Sequence, residues 1–406
     1  MKARVVIIGA GITGALTAWR LARAGYAVTV LEARHVGAGS SSRTAAGIRQ
    51  QFSTPETVLG MRYSVDFFRR FTQEVGGSDS PLVQSGYLFL LGDDAAVDAA
   101  AGRVRLQRSC GLDEVELLDA RAAAGRFPWL DPDAIAGATW CPSDGFLRPE
   151  LVYNEAIDAA RRLGAELLQG AEVQEARHRG GRLVAVRAGD RWIGADVVVD
   201  ATNAWSPRLA RLLGGVELPI LPLKRYLWFL DRGAQVSAEL LASLPLIIAP
   251  GGAYCRPENA HSLLLGYAHD TPAEPDFRHE DQDRIDPQAF HRGAEDGLAV
   301  QAWLAMAEVV PALADLAGFR ATTSGFYGTT PDHNPFLGYD PQVDNLVRLV
   351  GFSGHGAMFG PFSSAVGLAL IEGGADLADL PVLDRAVSLL PFRLDRQFQH
   401  GEAMVI

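Results

Sequence analysis

Three groups of residues have the types and spacing to do chemistry. The first is Gly9-Ala10-Gly11-Ile12-Thr13-Gly14, a G-x-G-x-x-G run. Gly9 permits a tight turn, Gly11 lets backbone approach a pyrophosphate, and Gly14 allows close helix packing. Glu32 stands 18 residues beyond Gly14, where a carboxylate can accept from ribose hydroxyls and would repel a 2′-phosphate. On this motif NAD and the adenosine half of FAD fit equally. The second group is Gly351-Phe352-Ser353-Gly354-His355-Gly356. Its glycines let backbone come close to a flat ring, and a following helix N-terminus can stabilise negative charge on it. The third is Arg43 and Arg49, set among small residues in the Gly/Ser-rich stretch 37–53, which reads as a ligand-wrapping loop.

These groups need elements to hold them. Residues 4–8 (RVVII) predict a buried strand and Ala15 to Ala24 a helix ending at Gly25. Ala27 to Leu31 predicts a second strand. This βαβ opening implies a parallel sheet. Further along, the patterns predict helices over 56–75, 94–109, 149–163 and 298–309. Strands are expected at 85–91, 225–230, 262–266 and 346–350, and a hairpin at 182–188 and 191–199 around Gly189-Asp190. Sheet elements at 4–31, 182–200 and 346–371 bracket two other blocks, so two interleaved domains are expected.

Composition narrows the class. At ~150 residues per domain, 406 residues suggest two or three domains. A net charge of −11 disfavours a nucleic-acid partner. The three cysteines form no metal-ligating cluster, so no metal is expected, and their scatter fits a reducing, cytoplasmic setting. The uncharged stretch Gly351 to Ile371 is long enough to span a membrane, but five glycines, three serines and Pro361 read instead as a buried loop entering a helix.

The chain resembles the FAD-dependent superfamily of D-amino-acid oxidase, glycine oxidase and sarcosine oxidase. It is most similar to the sarcosine oxidase β-subunit and dimethylglycine dehydrogenase branch. The likeness spans nearly the whole sequence. It rests on the G-x-G-x-x-G with Glu32, Ser40-Ser41-Ser42-Arg43 with Gly47 to Ser53, and Asp144-Gly145 ahead of Pro149. The VVVDATNAWSP run, Thr330-Pro331-Asp332-His333-Asn334-Pro335 and GFSGHG complete it. The resemblance implies an α/β fold in which an FAD-binding Rossmann-like domain is interleaved with a mixed antiparallel-sheet substrate domain. The expected boundaries are 1–84, 141–217 and 326–380 for the first, 85–140 and 218–325 for the second, and a tail over 381–406.

By position, the resemblance assigns Gly9, Gly11, Ile12, Thr13, Gly14, Glu32, Ala33 and Arg34 to the adenosine. Ser41, Ser42, Arg43, Thr44, Ala46, Gly47 and Ile48 go to the pyrophosphate and ribityl chain, and Val173, Ala201 and Trp205 to the adenine and linker. Gly328, Asp332, Gly354, His355, Gly356, Ala357 and Met358 are placed around the flavin. Arg49 matches a substrate-carboxylate binder, Tyr254 and Arg256 are expected on the pocket wall, and His269 is a weaker candidate. The implied activity is FAD-dependent oxidation of the C–N bond of an amino acid, a secondary or N-methylated one such as sarcosine, dimethylglycine or proline. Oxygen or an electron-transfer partner is the acceptor. Two other readings share the fold: a 2-hydroxy-acid or polyol-phosphate dehydrogenase, and a subunit of a homo- or hetero-oligomer inactive without partner chains.

Three departures from relatives matter. No cysteine precedes Tyr327, so the flavin is expected to be non-covalent. Met358 replaces a carboxylate-binding lysine. Leu263-Leu264-Leu265 occupies the strand of an oxygen-activating lysine, which implies slow reaction with oxygen unless Lys224 substitutes.

Overall fold

The computed structural model describes residues 2–269, 271–286, 291–292, 295–398 and 401–404. The β-branched run Arg4–Ile8 forms the central strand of a six-stranded sheet. It pairs in parallel with Ala27–Glu32 on one side and Val197–Asp200 on the other, Val5 opposite both Val28 and Val197. Glu166–Gln169 extends one edge, and Leu346–Val350 with the antiparallel Phe336–Tyr339 the other. Such a sheet is buried on both faces, which is why these strands read as continuous apolar runs. The helix Ile12–Arg23 buries most of its surface between the helices Pro149–Arg162 and Gly356–Gly373. Gly360 makes the second approach possible, since a Cβ there would lie 2.5 Å from Ile12 Cγ2.

The second sheet has eight strands, in the order 318–329, 221–231, 262–267, 253–259, 246–248, 87–91, 137–141, 116–119. Side chains alternate across it. One face, with Trp228, Leu230, Cys255 and Leu265, is covered by the helix Leu298–Val309. The other gathers Tyr87, Phe89, Leu227, Tyr254 and Leu264 into a separate cluster. The chain thus passes repeatedly between the two sheets, as the alternating sequence blocks imply. Strand Gly318–Thr329 pairs with Leu221–Asp231 as far as Thr329, so it runs through the boundary expected at 326.

Two elements differ from the sequence reading. The expected strand 191–199 breaks at Ala195-Asp196. Arg191–Gly194 stays in the hairpin, while Val197–Asp200 joins the six-stranded sheet. Asp196 fixes the switch by accepting from Arg4 N at 2.8 Å and pairing with its guanidinium at 2.8 Å. The helix expected over 56–75 divides into Pro55–Arg69 and Phe71–Glu74, with Arg70 at φ −103° and ψ 10°. Gly351–Ile371 is a loop entering a helix, and no helix among the described residues is long and apolar enough to cross a membrane.

Candidate functional site

The first βαβ turn builds one end of the site. Gly9 has φ +102°, and a Cβ on Gly14 would lie 2.0 Å from the Gly9 carbonyl oxygen. The turn and the helix therefore touch backbone to backbone. Glu32 is held at its strand end because its carboxylate accepts from Ala10 N and Arg34 N, each at 2.9 Å. Ser41 Oγ accepts from Ile12 N at 3.0 Å, which docks the 40–44 loop on the helix N-terminus.

These residues open onto a cavity of about 460 Å³. Among the expected residues, Gly9, Gly11, Ile12, Thr13, Glu32, Ala33, Ser41, Thr44, Val173, Ala201, Trp205, Gly354, Gly356 and Ala357 line it. Thr202, Asn203, His279, Phe326, Tyr327 and Phe352 line it as well, although the sequence reading assigned none of them to the cofactor. Trp205 stacks on His279 at 5.3 Å, and its buried Nε1–H has no partner among the described residues. A helix N-terminus, a fixed carboxylate and an orphaned indole N–H suit an adenine dinucleotide.

Other expected residues stand behind this surface. Gly14 packs under the turn. Arg34 and Arg43 pair with Asp283 at 3.6 and 2.5 Å, and Arg43 also donates to Ser324 O at 3.4 Å. They clasp the two sheets together. Ser42 Oγ turns back to Gly39 O at 3.5 Å. Ala46, Gly47 and Ile48 belong to a short strand region against Gly145–Leu147. Gly328 abuts Asn203, whose Oδ1 accepts from Gly351 N and Phe352 N at 3.1 Å each. Asp332 does not face the cavity: its carboxylate holds Arg396 through two bonds of 2.7 and 2.8 Å. Met358 is buried in the interhelical core.

The GFSGHG turn carries the other end. Gly351 and Gly354 have φ +77° and +88°, and a Cβ on Gly354 would lie 2.4 Å from the Tyr327 ring. His355 is buried, with Nε2 3.2 Å from Arg49 Nη2 and Phe52 edge-on at 5.2 Å. A guanidinium has no lone pair, so Nε2 accepts and the imidazole proton sits on Nδ1. Burial, then the Arg49 and His333 charges, hold the His355 pKa well below its ordinary value.

Arg49 is fully buried over the Phe52 ring at 3.9 Å. Its Nη1 donates to Gln51 O at 2.6 Å, and its Nη2 also donates to Met404 O. Burial lowers its pKa, opposed by Tyr87, Glu402 and Asp144. Asp144, beneath it, accepts from Gln50 N at 2.9 Å, Gln50 Nε2 at 3.0 Å and Gln51 Nε2 at 3.2 Å. Burial raises the Asp144 carboxyl to about 6 against those hydrogen bonds.

The eight-stranded sheet roofs this region. Tyr254 lies flat over Gly266, where a Cβ would come within 2.1 Å of its ring. Burial and the neighbouring Tyr327 push its phenol well above the ordinary range. Arg256, on the same face, is tied to Ala45 O at 2.8 Å and Glu258 at 2.7 Å, so it clamps the loop and the sheet together. Leu264 is the member of the Leu263–Leu265 run in the cluster with Tyr254. Lys224 donates to Asp281 O and Arg284 O at 2.5 Å each and shares the strand face of Tyr226, away from Leu227. It therefore does not supply the missing cation at Leu264. His269 Nδ1 lies 2.8 Å from Tyr267 O.

A family model described as FAD dependent oxidoreductase matches residues 4–367. FAD-dependent oxidoreductase domain-containing protein 1 of Bos taurus is 29% identical over 99% of this chain and 86% of its own. Glycine oxidase of Geobacillus kaustophilus (strain HTA426) is 27% identical over 97% of this chain and 96% of its own. The crystal structure of L-proline dehydrogenase from P. horikoshii superposes with a TM-score of 0.80 and 29% identity, covering 93% of this chain and 95% of that one.

Proposed function

The chain belongs to the DAO family of FAD-dependent oxidoreductases acting on amines or amino acids, and from that premise we propose that it oxidises the C–N bond of a secondary or N-methylated amino acid. FAD is the cofactor and supplies the hydride acceptor when bound. The Gly9–Gly14 turn, Glu32 and Trp205 would hold its adenosine half, and the Gly354–Ala357 turn would meet its ring. Phe326 stands before Tyr327 where a cysteinyl attachment would need sulfur, so the proposal includes non-covalent FAD.

The observation that carries the choice of C–N over C–OH is the contact between Arg49 and His355. The basic nitrogen of His355 already accepts from a permanent cation. It is not free to take a hydroxyl proton. A neutral amine needs no such base, because its nitrogen lone pair drives loss of hydride from the adjoining carbon and leaves an imine for water to hydrolyse. The aromatic walls (Tyr87, Phe89, Tyr254) penalise an ammonium and keep the amine neutral. Arg49 takes the carboxylate in this reading. The whole-chain likeness to an L-proline dehydrogenase supports a secondary amine.

Anaerobic titration of the yellow holoprotein tests this. Proline, sarcosine or dimethylglycine should bleach the flavin, and colour should return slowly in air because Leu264 offers no cation to oxygen. Bleaching by hydroxy acids alone overturns the C–N reading. No bleaching by any of these favours a subunit that requires partner chains. Acid precipitation should release all the flavin into the supernatant.

A further inference from the structure

Residues Gly401–Met404 return beneath the eight-stranded sheet and end against Arg49. Their path is tightly specified. Gly401 lies on the Asp332 backbone, where a Cβ would come within 2.9 Å of the carbonyl oxygen. Glu402 is only 2% exposed, and its N–H donates to Asp332 O at 2.9 Å. Its carboxylate accepts from Ser53 N at 2.9 Å, Ser53 Oγ at 2.6 Å, Thr54 Oγ1 at 3.2 Å and Met404 N at 2.9 Å. Ala403 N donates back to Ser53 Oγ at 2.8 Å. The Asp332 landing is itself fixed by Arg396. This buried, fully bonded carboxylate aims one carbonyl, that of Met404, at Arg49 Nη2.

The consequence lies in the donor inventory of Arg49. A guanidinium has five N–H groups, two on each Nη and one on Nε. Both Nη2 hydrogens are engaged, by His355 Nε2 and Met404 O. Nε–H is buried with no partner among the described residues. A carboxylate bound by two parallel bonds needs Nη2 together with either Nη1 or Nε. It therefore has to replace one of the two Nη2 acceptors. His355 is fixed in the helix-entry turn, whereas the Met404 backbone is placed by the Glu402 anchor, its side chain packing on the cluster of Tyr87 and Tyr254. An ionised acceptor adds charge attraction to the guanidinium and can engage it through two parallel bonds, so the exchange favours the carboxylate.

We infer that Glu402–Met404 is a strap that competes with the substrate carboxylate for Arg49, which makes Glu402 a positioning residue that sets affinity for carboxylate-bearing substrates. The inference rests on the reading of Arg49 as the carboxylate binder. Substrate entry releases the Met404 carbonyl, and product departure restores it. A weaker anchor makes release easier and tightens carboxylate binding.

The experiment uses holoprotein and benzoate, a flat carboxylate that cannot be oxidised, with its Kd read from the flavin absorbance change. Glu402→Ala, and the milder Ser53→Ala in case the first fails to fold, should lower the benzoate Kd about three- to thirtyfold. KM for an oxidised amino acid should fall in parallel while binding of a carboxylate-free amine stays unchanged. Hydrogen exchange at Ala403 and Met404 should quicken when benzoate saturates the wild type. An unchanged or higher Kd in both variants, or exchange that benzoate does not alter, overturns the strap. Arg49→Met separates the two ideas. If it leaves benzoate binding intact, the Arg49 reading itself has failed; if it abolishes binding while the anchor variants do nothing, only the strap has.

Discussion

Asp144 shows how one buried group can govern the site without touching a ligand. It organises Gln50 and Gln51, and the Gln51 carbonyl in turn holds Arg49. Its carboxyl titrates at about 6 in the folded protein and at about 3.9 when unfolded. A folded pKa above the unfolded one means stability is fullest below about pH 4 and is lost as pH rises through 6. Two units amount to about 3 kcal/mol. Asp144→Asn keeps a neutral group there at every pH. The stability difference between wild type and variant should therefore shift by about 2 kcal/mol between pH 4.5 and 7.5, in the direction that favours the variant at high pH. Thermal midpoints of the two holoproteins across this range provide the check, and parallel curves would refute the assignment.

Among elements, the opening βαβ unit is the one most legible in sequence, because its determinants are local. Strand, glycine turn, helix and second strand lie within residues 4–32 and each constrains the next. Gly14→Ala would force a methyl to 2.0 Å from the Gly9 carbonyl. We expect FAD content at purification to fall at least about tenfold, since the turn must move from the pyrophosphate. Gly25→Ala is the control. Gly25 closes the same helix at φ +86° with nothing within 4 Å of a Cβ, so it should cost about 1 kcal/mol of stability and keep the flavin. The roof was far less legible. Tyr327 reaches the site through the pairing of 221–231 with 318–329, and no local pattern fixes that register. Tyr254 and Arg256 share a strand face, yet only the contacts of Arg256 with Ala45 and Glu258 show it to be a clamp. Glu402 meets Ser53 across 349 residues, a relation invisible to spacing.

At the scale of the molecule, the cavity is a seam. Gly9, Glu32 and Ala201 come from the six-stranded sheet, Val173 from the small three-stranded sheet, and Phe326 and Tyr327 from the eight-stranded one. A ligand that fills the seam binds the native arrangement and not the unfolded chain, so it stabilises by mass action, by about 4 kcal/mol at a thousandfold excess over Kd. The two ends of the seam are not equally prepared. At the adenosine end Glu32 is fixed by two backbone N–H groups and Trp205 rests on His279. At the ring end Met404 packs against the cluster of Tyr87, Phe89 and Tyr254. Apoprotein stripped of flavin should therefore gain thermal stability from ADP alone, by a measurable part of what FAD restores. Riboflavin should give much less. Melting curves of apoprotein with each compound test this directly. A riboflavin effect equal to that of FAD, with none from ADP, would mean that binding is organised from the GFSGHG turn and that the G-x-G-x-x-G unit contributes little to holding the sheets together.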